Sequence, residues 1–181
     1  MKFANKRDLS ISMLRANVIA LFTMLPVAVL QFSLYLLLHN TQKMEIIFSP
    51  LLTILWGLLF AASIFVHEFI HGLTWVIFGK KSFSAVQFGF QWKTLTPYAH
   101  LKEPVDVNLY RLGGFMPGFI LGILLFILSL VLGNGYLLWF SILHTAAASG
   151  DWTILWILRG VKSGTLVEDH PSRAGCYVYE S

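Results

Sequence analysis

The sequence predicts an all-α polytopic membrane protein: four transmembrane helices, with a short β-strand or hairpin inserted between the second and third. Of its 181 residues, 56% are hydrophobic and only 12% are charged, about half the roughly 25% charged residues of a soluble domain. The mean hydropathy is +0.70. Four apolar segments reach the length of about 20 residues needed to cross a bilayer. This composition excludes both a soluble globular domain and an intrinsically disordered chain.

The predicted spans are bounded by turn and capping residues. They cover residues 17–38, 50–78, 109–132 and 136–158. Pro50 suits the first position of a helix, and Gly133-Asn134-Gly135 is typical of a tight turn. One integral membrane domain over residues 1–181 follows from this arrangement.

The placement of lysine and arginine predicts the orientation in the membrane. All but one of the 13 basic residues lie in the N-terminal arm, between the second and third spans, or after the fourth span. Lys43 is the exception. The positive-inside rule therefore predicts a multi-pass membrane protein with both termini in the cytoplasm. The basic residues form no stripe or cluster, so we do not expect nucleic acid as a partner.

Two segments outside the spans have the pattern of β-strands. Residues 83–94 alternate, with Phe88, Phe90 and Trp92 on one face and glutamines mostly on the other, which predicts a strand or hairpin with aromatic residues suited to the membrane interface. Residues 176–179 are also strand-like. The single cysteine, Cys176, excludes an intramolecular disulfide.

The candidate metal-binding and catalytic residues lie in the segment His67-Glu68-Phe69-Ile70-His71, inside the second span. Histidines at positions i and i+4 share one helical face and can bind the same zinc ion. Glu68 is adjacent to them, where it can act as a general base on a metal-bound water. Charged residues inside a span are costly and mark function by default. The alternative is that these polar side chains only bond neighbouring helices.

A third protein ligand must come from another segment, and the candidates are Asp151, His144 and His100. His71 lies nine residues before Lys80, about 14 Å along the helix, and Asp151 lies eight residues before Arg159, about 12 Å. The two therefore have nearly the same depth, which favours Asp151. His144 is two turns further out, so a role behind the ligands or towards substrate, or simple packing, is expected. His100 follows Pro97-Tyr98-Ala99, and two interpretations stay open for it: a role behind the ligands or towards substrate at the cytoplasmic mouth, or a plain interfacial histidine.

The third span carries Gly114, Gly118 and Gly122 at a spacing of four, with Pro117 among them. Such small residues allow close helix contact. They predict packing inside the bundle or, as an alternative, a homodimer. Pro117 is expected to bend the helix and to free a backbone carbonyl near the site.

These motifs resemble the site-2 protease type of intramembrane zinc metalloproteases, although Ser149-Gly150-Asp151 matches the aspartate motif of that group only loosely. The sequence is more similar, over about residues 65–179, to a prokaryotic membrane family of unknown function described as zincin peptidases. The matching pieces, besides the histidines, are residues 99–104, Pro117, residues 149–151, residues 169–175 and residues 177–179. The resemblance implies zinc ligands His67, His71 and Asp151 with Glu68 catalytic, and it gives His100 more weight.

The sequence therefore predicts a zinc-dependent intramembrane endopeptidase that cleaves a peptide bond in or near a membrane segment of another protein. Its partners would be the lipid bilayer and a membrane-protein or membrane-bound peptide substrate. One alternative is a membrane zinc hydrolase acting on a lipid or lipidated peptide. Another is a non-catalytic metal-binding protein, which the buried acid beside the ligands argues against.

Overall fold

The computed structural model describes residues 5–39, 49–92 and 96–180, where helices and two small β-sheets combine. The helices are α1 (Met13–His39), α2 (Pro50–Gly79), α3 (Val107–Leu132), α4 (Gly135–Ala147) and α5 (Ser149–Leu158). The strands are β1 (Asn5–Ile11), β2 (Val86–Gln91), β3 (Thr96–Leu101), β4 (Val105–Asp106), β5 (Leu166–Asp169) and β6 (Ala174–Glu180).

The prediction of four transmembrane helices is wrong. In the described part of the chain, three helices, α1 to α3, are long and apolar enough to cross a membrane. The predicted fourth span is divided at Ala148 into α4 and α5, whose lengths of about 20 Å and 15 Å fall short of a core about 30 Å thick. The Ser149 hydroxyl donates to the Ala146 carbonyl at 2.5 Å, and Gly150 follows, so local side-chain bonding and a flexible residue weaken the helix here.

The prediction of an all-α fold is wrong as well, because a four-stranded antiparallel sheet packs against the helices. Its strand order is β1-β6-β5-β4. β6 contains the strand-like residues 176–179, whereas β1 belongs to the N-terminal arm, for which the sequence analysis makes no strand prediction. The register pairs Asn5 with Glu180 and Ile11 with Ala174. Both ends of the described chain therefore lie side by side in one sheet.

The predicted hairpin is present between α2 and α3. Strands β2 and β3 pair antiparallel, with Val86 opposite Leu101 and Gln91 opposite Thr96. The hairpin lies against α2 because Gly72 has no side chain: a Cβ there would be 2.6 Å from Cζ of Phe88. Thr94, at the end of the alternating segment, lies outside the described residues, as does Lys43.

The glycine ridge of α3 packs within the chain. A Cβ at Gly118 would be 2.6 Å from that of Ala148, and one at Gly122 would be 2.8 Å from the Thr145 hydroxyl oxygen. Residues 118–124 form a π-helical segment directly after Pro117. The ridge therefore holds α3 against α4 and α5, and a homodimer through these glycines stays an untested prediction.

Cys176 lies in the buried core beneath the four-stranded sheet, with Val107, Val167 and Val178. Burial, together with the nearby charge of Asp169, raises the pKa of its thiol to about 12. At pH 8 the thiolate fraction is then roughly a thousandfold smaller than for an ordinary cysteine, and only the thiolate reacts. We expect maleimide to label the native protein at least about a hundredfold more slowly than the unfolded protein, measured by intact-mass spectrometry. Equal rates would show that this sheet is open in solution.

Candidate metal centre

Two histidines of α2 form the centre of the site. The helix runs without interruption because its residues are apolar and proline is confined to its first position, and it ends at Lys80 in the left-handed conformation. His67 and His71 lie one turn apart on the face that meets the other helices. Both are buried, with 5% and 6% of their surface exposed, inside a helix whose other faces are largely open.

Asp151, in the first turn of α5, reaches both histidines. One of its carboxylate oxygens, Oδ2, lies 3.1 Å from Nε2 of His67 and 3.4 Å from Nε2 of His71. The two side chains for which the sequence predicts a similar depth, His71 and Asp151, are thus in direct contact. Three atoms of the kinds that bind zinc therefore converge on one point.

The carbonyl of Gly113 in α3 orients His71. It lies 2.9 Å from Nδ1 of His71, and because a carbonyl only accepts, this nitrogen carries the proton. Gly113 stands four residues before Pro117, whose missing N–H leaves that carbonyl without its helical partner. The expected freed carbonyl near the site is thus present. In a neutral His71 the lone pair is then on Nε2, the atom that faces Asp151, where it would be available to a metal bound between the two side chains.

Glu68 lies half-buried beside the histidines. Its carboxylate offers an oxygen within 4.8 Å of ligand nitrogens of both His67 and His71. The backbone N–H of Ala99 in β3 donates to it. The hairpin therefore contacts the acid that follows His67 in the sequence.

Two ligand sets fit a divalent metal in this site. Both contain Nε2 of His67 and of His71, and the third ligand is either Asp151, which contacts both nitrogens, or Glu68, which lies within reach of them. Two imidazoles and one carboxylate suit zinc better than magnesium or calcium, which prefer oxygen-only sites. Three ligands of this kind leave a coordination position for water.

Comparison with known protein families finds a match that spans the site. A family described as "Putative zincin peptidase" matches residues 60–166, a range that includes the four side chains just described. The chain belongs to this family. Membership indicates a zinc metallopeptidase. Comparisons with curated proteins and with solved structures give no match.

In this family member, His144 lies behind the histidine pair instead of beside Asp151. It is fully buried, its ring stacks against that of His67 with centroids 6.2 Å apart, and its Nε2 lies 2.7 Å from the hydroxyl of Ser63. Ser63 lies one turn before His67 on α2, and the sequence analysis did not consider it. A single serine in an apolar helix gives no signal in the sequence, because the partner of Ser63 lies on another helix.

His100 lies beside Asp169 in β5, a residue that the sequence analysis included only in the matching segment 169–175. Nδ1 of His100 is 3.7 Å from Oδ2 of Asp169. Asp169 also accepts from the Leu101 backbone N–H at 2.7 Å and from the Tyr110 hydroxyl at 2.5 Å. Burial raises the pKa of the Asp169 carboxyl. Asp169 therefore links the hairpin, α3 and the four-stranded sheet at one point.

Replacing Asp169 by Ala is expected to lower the free energy of unfolding by about 3 kcal/mol, because a buried N–H and a buried hydroxyl lose their acceptor at about 1–3 kcal/mol each. Asp169→Asn should recover part of the loss, since an amide oxygen still accepts from Leu101. Tyr110→Phe removes one of these bonds only and should cost less. Denaturant unfolding in detergent measures all three. If Asp169→Ala unfolded at the same denaturant concentration as the wild type, Asp169 could not be the stabilising acceptor of these two hydrogen bonds.

A cavity of about 770 Å³ contains the site. Its walls are one face of α1, the histidine face of α2, the hairpin, the start of α5 and the loop between β5 and β6. Pro171, Ser172 and Arg173 of that loop line it and are exposed. Water can therefore reach the histidines from the side of the four-stranded sheet.

Proposed function

We propose that this protein is a zinc-dependent intramembrane endopeptidase. The observation that carries the proposal is the convergence of Nε2 of His67 and of His71 on one oxygen of Asp151, with Glu68 beside them. His67, Glu68 and His71 lie in a helix apolar enough to cross a membrane, and Asp151 reaches them from α5. Family membership supports the chemistry, and the apolar surroundings support a substrate that is itself in the bilayer.

The ligands in this proposal are His67, His71 and Asp151. Asp151 is preferred over Glu68 because its oxygen already contacts both nitrogens, whereas the Glu68 carboxylate is held by the Ala99 N–H. A three-ligand site with an open position is typical of catalytic zinc.

Zinc bound here would supply a Lewis acid that polarises the scissile carbonyl and makes water acidic. Glu68 takes the proton from the attacking water and transfers it to the leaving amine. Gly113 keeps His71 in the required tautomer throughout. The Ala99 N–H holds the Glu68 carboxylate in position next to the reacting atoms.

The substrate proposed is an unfolded segment of a membrane protein or a membrane-bound peptide. Cleavage would take place about 12–14 Å below the cytoplasmic surface. The hairpin beside Glu68 can bind such a segment by strand addition, in which backbone hydrogen bonds provide most of the affinity. The pairing of β1 with β6 supports placing both termini on one side of the membrane, which the basic residues suggest is cytoplasmic.

The experiment uses the full chain reconstituted in liposomes, as wild type and as His67→Ala. Zinc per chain is measured first, and then cleavage of a set of labelled single-span membrane proteins, with new termini identified by mass spectrometry. We expect one zinc per wild-type chain, cleavage inside membrane segments, and neither in the variant. Absence of zinc from the wild type would overturn the metal assignment.

Two further outcomes would replace the proposed reaction. Zinc binding with hydrolysis of lipid ester or amide bonds, and no peptide cleavage, would make the protein a lipid hydrolase. Zinc binding without hydrolysis of either kind of bond would make it a metal-binding protein.

A further inference from the structure

One of the two histidine ligands proposed above has an incomplete set of hydrogen bonds. A histidine that binds metal through one nitrogen nearly always donates the N–H of the other to a carboxylate, a backbone carbonyl or a water. His71 does so to Gly113. Nδ1 of His67 is buried and has no partner among the described residues.

His144 has the complementary deficiency. Ser63 has one hydroxyl proton, and it donates that proton to the Phe60 carbonyl at 2.6 Å. The Ser63 oxygen can therefore only accept from Nε2 of His144, 2.7 Å away. This fixes the tautomer of a neutral His144: Nε2 carries the proton, and Nδ1 is a buried acceptor, also without a partner in the described structure.

The two rings lie close enough for one shared partner. Their centroids are 6.2 Å apart and their planes are 16° from parallel. The two unpaired Nδ1 atoms belong to these neighbouring rings, and a single water with two hydrogen bonds of about 2.8 Å can join polar atoms up to about 5.6 Å apart. Such a water would accept a hydrogen bond from the N–H at Nδ1 of His67 and donate one to Nδ1 of His144. Each of the two nitrogens would then have the hydrogen bond that it lacks.

We propose that His144 is a positioning residue that fixes the tautomer and orientation of His67 through one shared water, with Ser63 fixing His144 in turn. This inference rests on the proposed zinc site. It gives the chain Ser63–His144–His67 the function that Gly113 has for His71. His144 contributes to metal affinity without touching metal, substrate or Asp151.

The test compares zinc affinity of full-length wild type, His144→Leu, His144→Asn and Ser63→Ala, by competition with a chromogenic chelator. We expect zinc binding to weaken by about 10–100-fold in His144→Leu, the range typical of partners behind metal ligands. Ser63→Ala should weaken it less, because His144 stays but loses its fixed tautomer. His144→Asn should recover part of the affinity, since its amide oxygen can accept from the shared water.

Ser141→Ala is the matched control. Ser141 is fully buried on α4, and its hydroxyl donates to the Leu138 carbonyl at 2.7 Å, so its loss perturbs packing without touching the histidine chain. Zinc affinity of this variant should stay at the wild-type value.

The outcomes separate this inference from the proposed function. Stoichiometric zinc in the wild type, with affinity unchanged in both His144→Leu and Ser63→Ala, would overturn the role of His144 and leave the zinc site standing. Failure of the wild type to bind zinc would overturn both. Should His144→Leu fail to fold, the zinc affinities of Ser63→Ala and Ser141→Ala are compared instead. Equal zinc affinities in these two variants would overturn the inference.

Discussion

Glu68→Gln is expected to reduce peptide-bond hydrolysis by about 10²–10⁴-fold, the usual contribution of a general base, while zinc content stays near one per chain. Glutamine has nearly the same shape as glutamate and can still accept from the Ala99 N–H, but it cannot take a proton from water. The measurement is the initial rate of cleavage of a membrane-protein substrate in liposomes, together with metal content of the same preparation.

Glu103→Gln is the matched control, because Glu103, in the segment after the hairpin, is a half-buried acid away from the histidines that pairs with Lys81 at 2.8 Å. It should retain the wild-type rate. A Glu68→Gln protein that cleaves at the wild-type rate would exclude Glu68 as the base. One that loses zinc would instead identify Glu68 as a ligand.

Asp151→Ala is expected to weaken zinc binding by more than about 100-fold, because removing a ligand should exceed the 10–100-fold effect of losing a partner behind a ligand. Activity should be lost together with the metal. Zinc content after dialysis against a weak chelator provides the measurement, and denaturant unfolding of the zinc-free protein shows that the variant is folded. Glu180→Ala, which removes an exposed carboxylate paired with Arg7 at the end of β6, should bind zinc normally.

The pair of variants separates the two ligand sets that the geometry allows. Loss of zinc in Asp151→Ala but not in Glu68→Gln fits the proposed set of two histidines and Asp151. The reverse result would assign Glu68 to the metal and leave the reaction without its proposed base.

The centre of the site could be predicted from the sequence, because the signals for it depend on residues that are close in sequence or on counting residues along a helix. The spacing of His67 and His71 depends only on the helical repeat, and the match in depth with Asp151 follows from counting residues to Lys80 and Arg159. The carbonyl released by Pro117 is also a local effect. The alternation of Phe88, Phe90 and Trp92 was sufficient to predict the hairpin.

The parts that could not be predicted depend on pairing between distant segments or on small deviations in a helix. β1 carries little apolar alternation of its own and becomes a strand only because β6 lies beside it. Asp169 acquires its three neighbours from β3 and α3, more than 50 residues earlier in the sequence. The division of the fourth span at Ala148 leaves its hydropathy unchanged, so a count of apolar residues does not detect it.

The pairing of β1 with β6 also determines the order in which this protein can mature. The first described strand has no partner in the sheet until the last one has been synthesised, so this edge of the sheet can form only after all of the described helices have been made. Contacts this distant in sequence are slow to form. Asp169 belongs to the same sheet and anchors the hairpin that holds Glu68. A newly made chain should therefore contain both histidines and Glu68 well before the hairpin beside Glu68 is anchored, so the proposed site would reach its final geometry only after the last strand has paired.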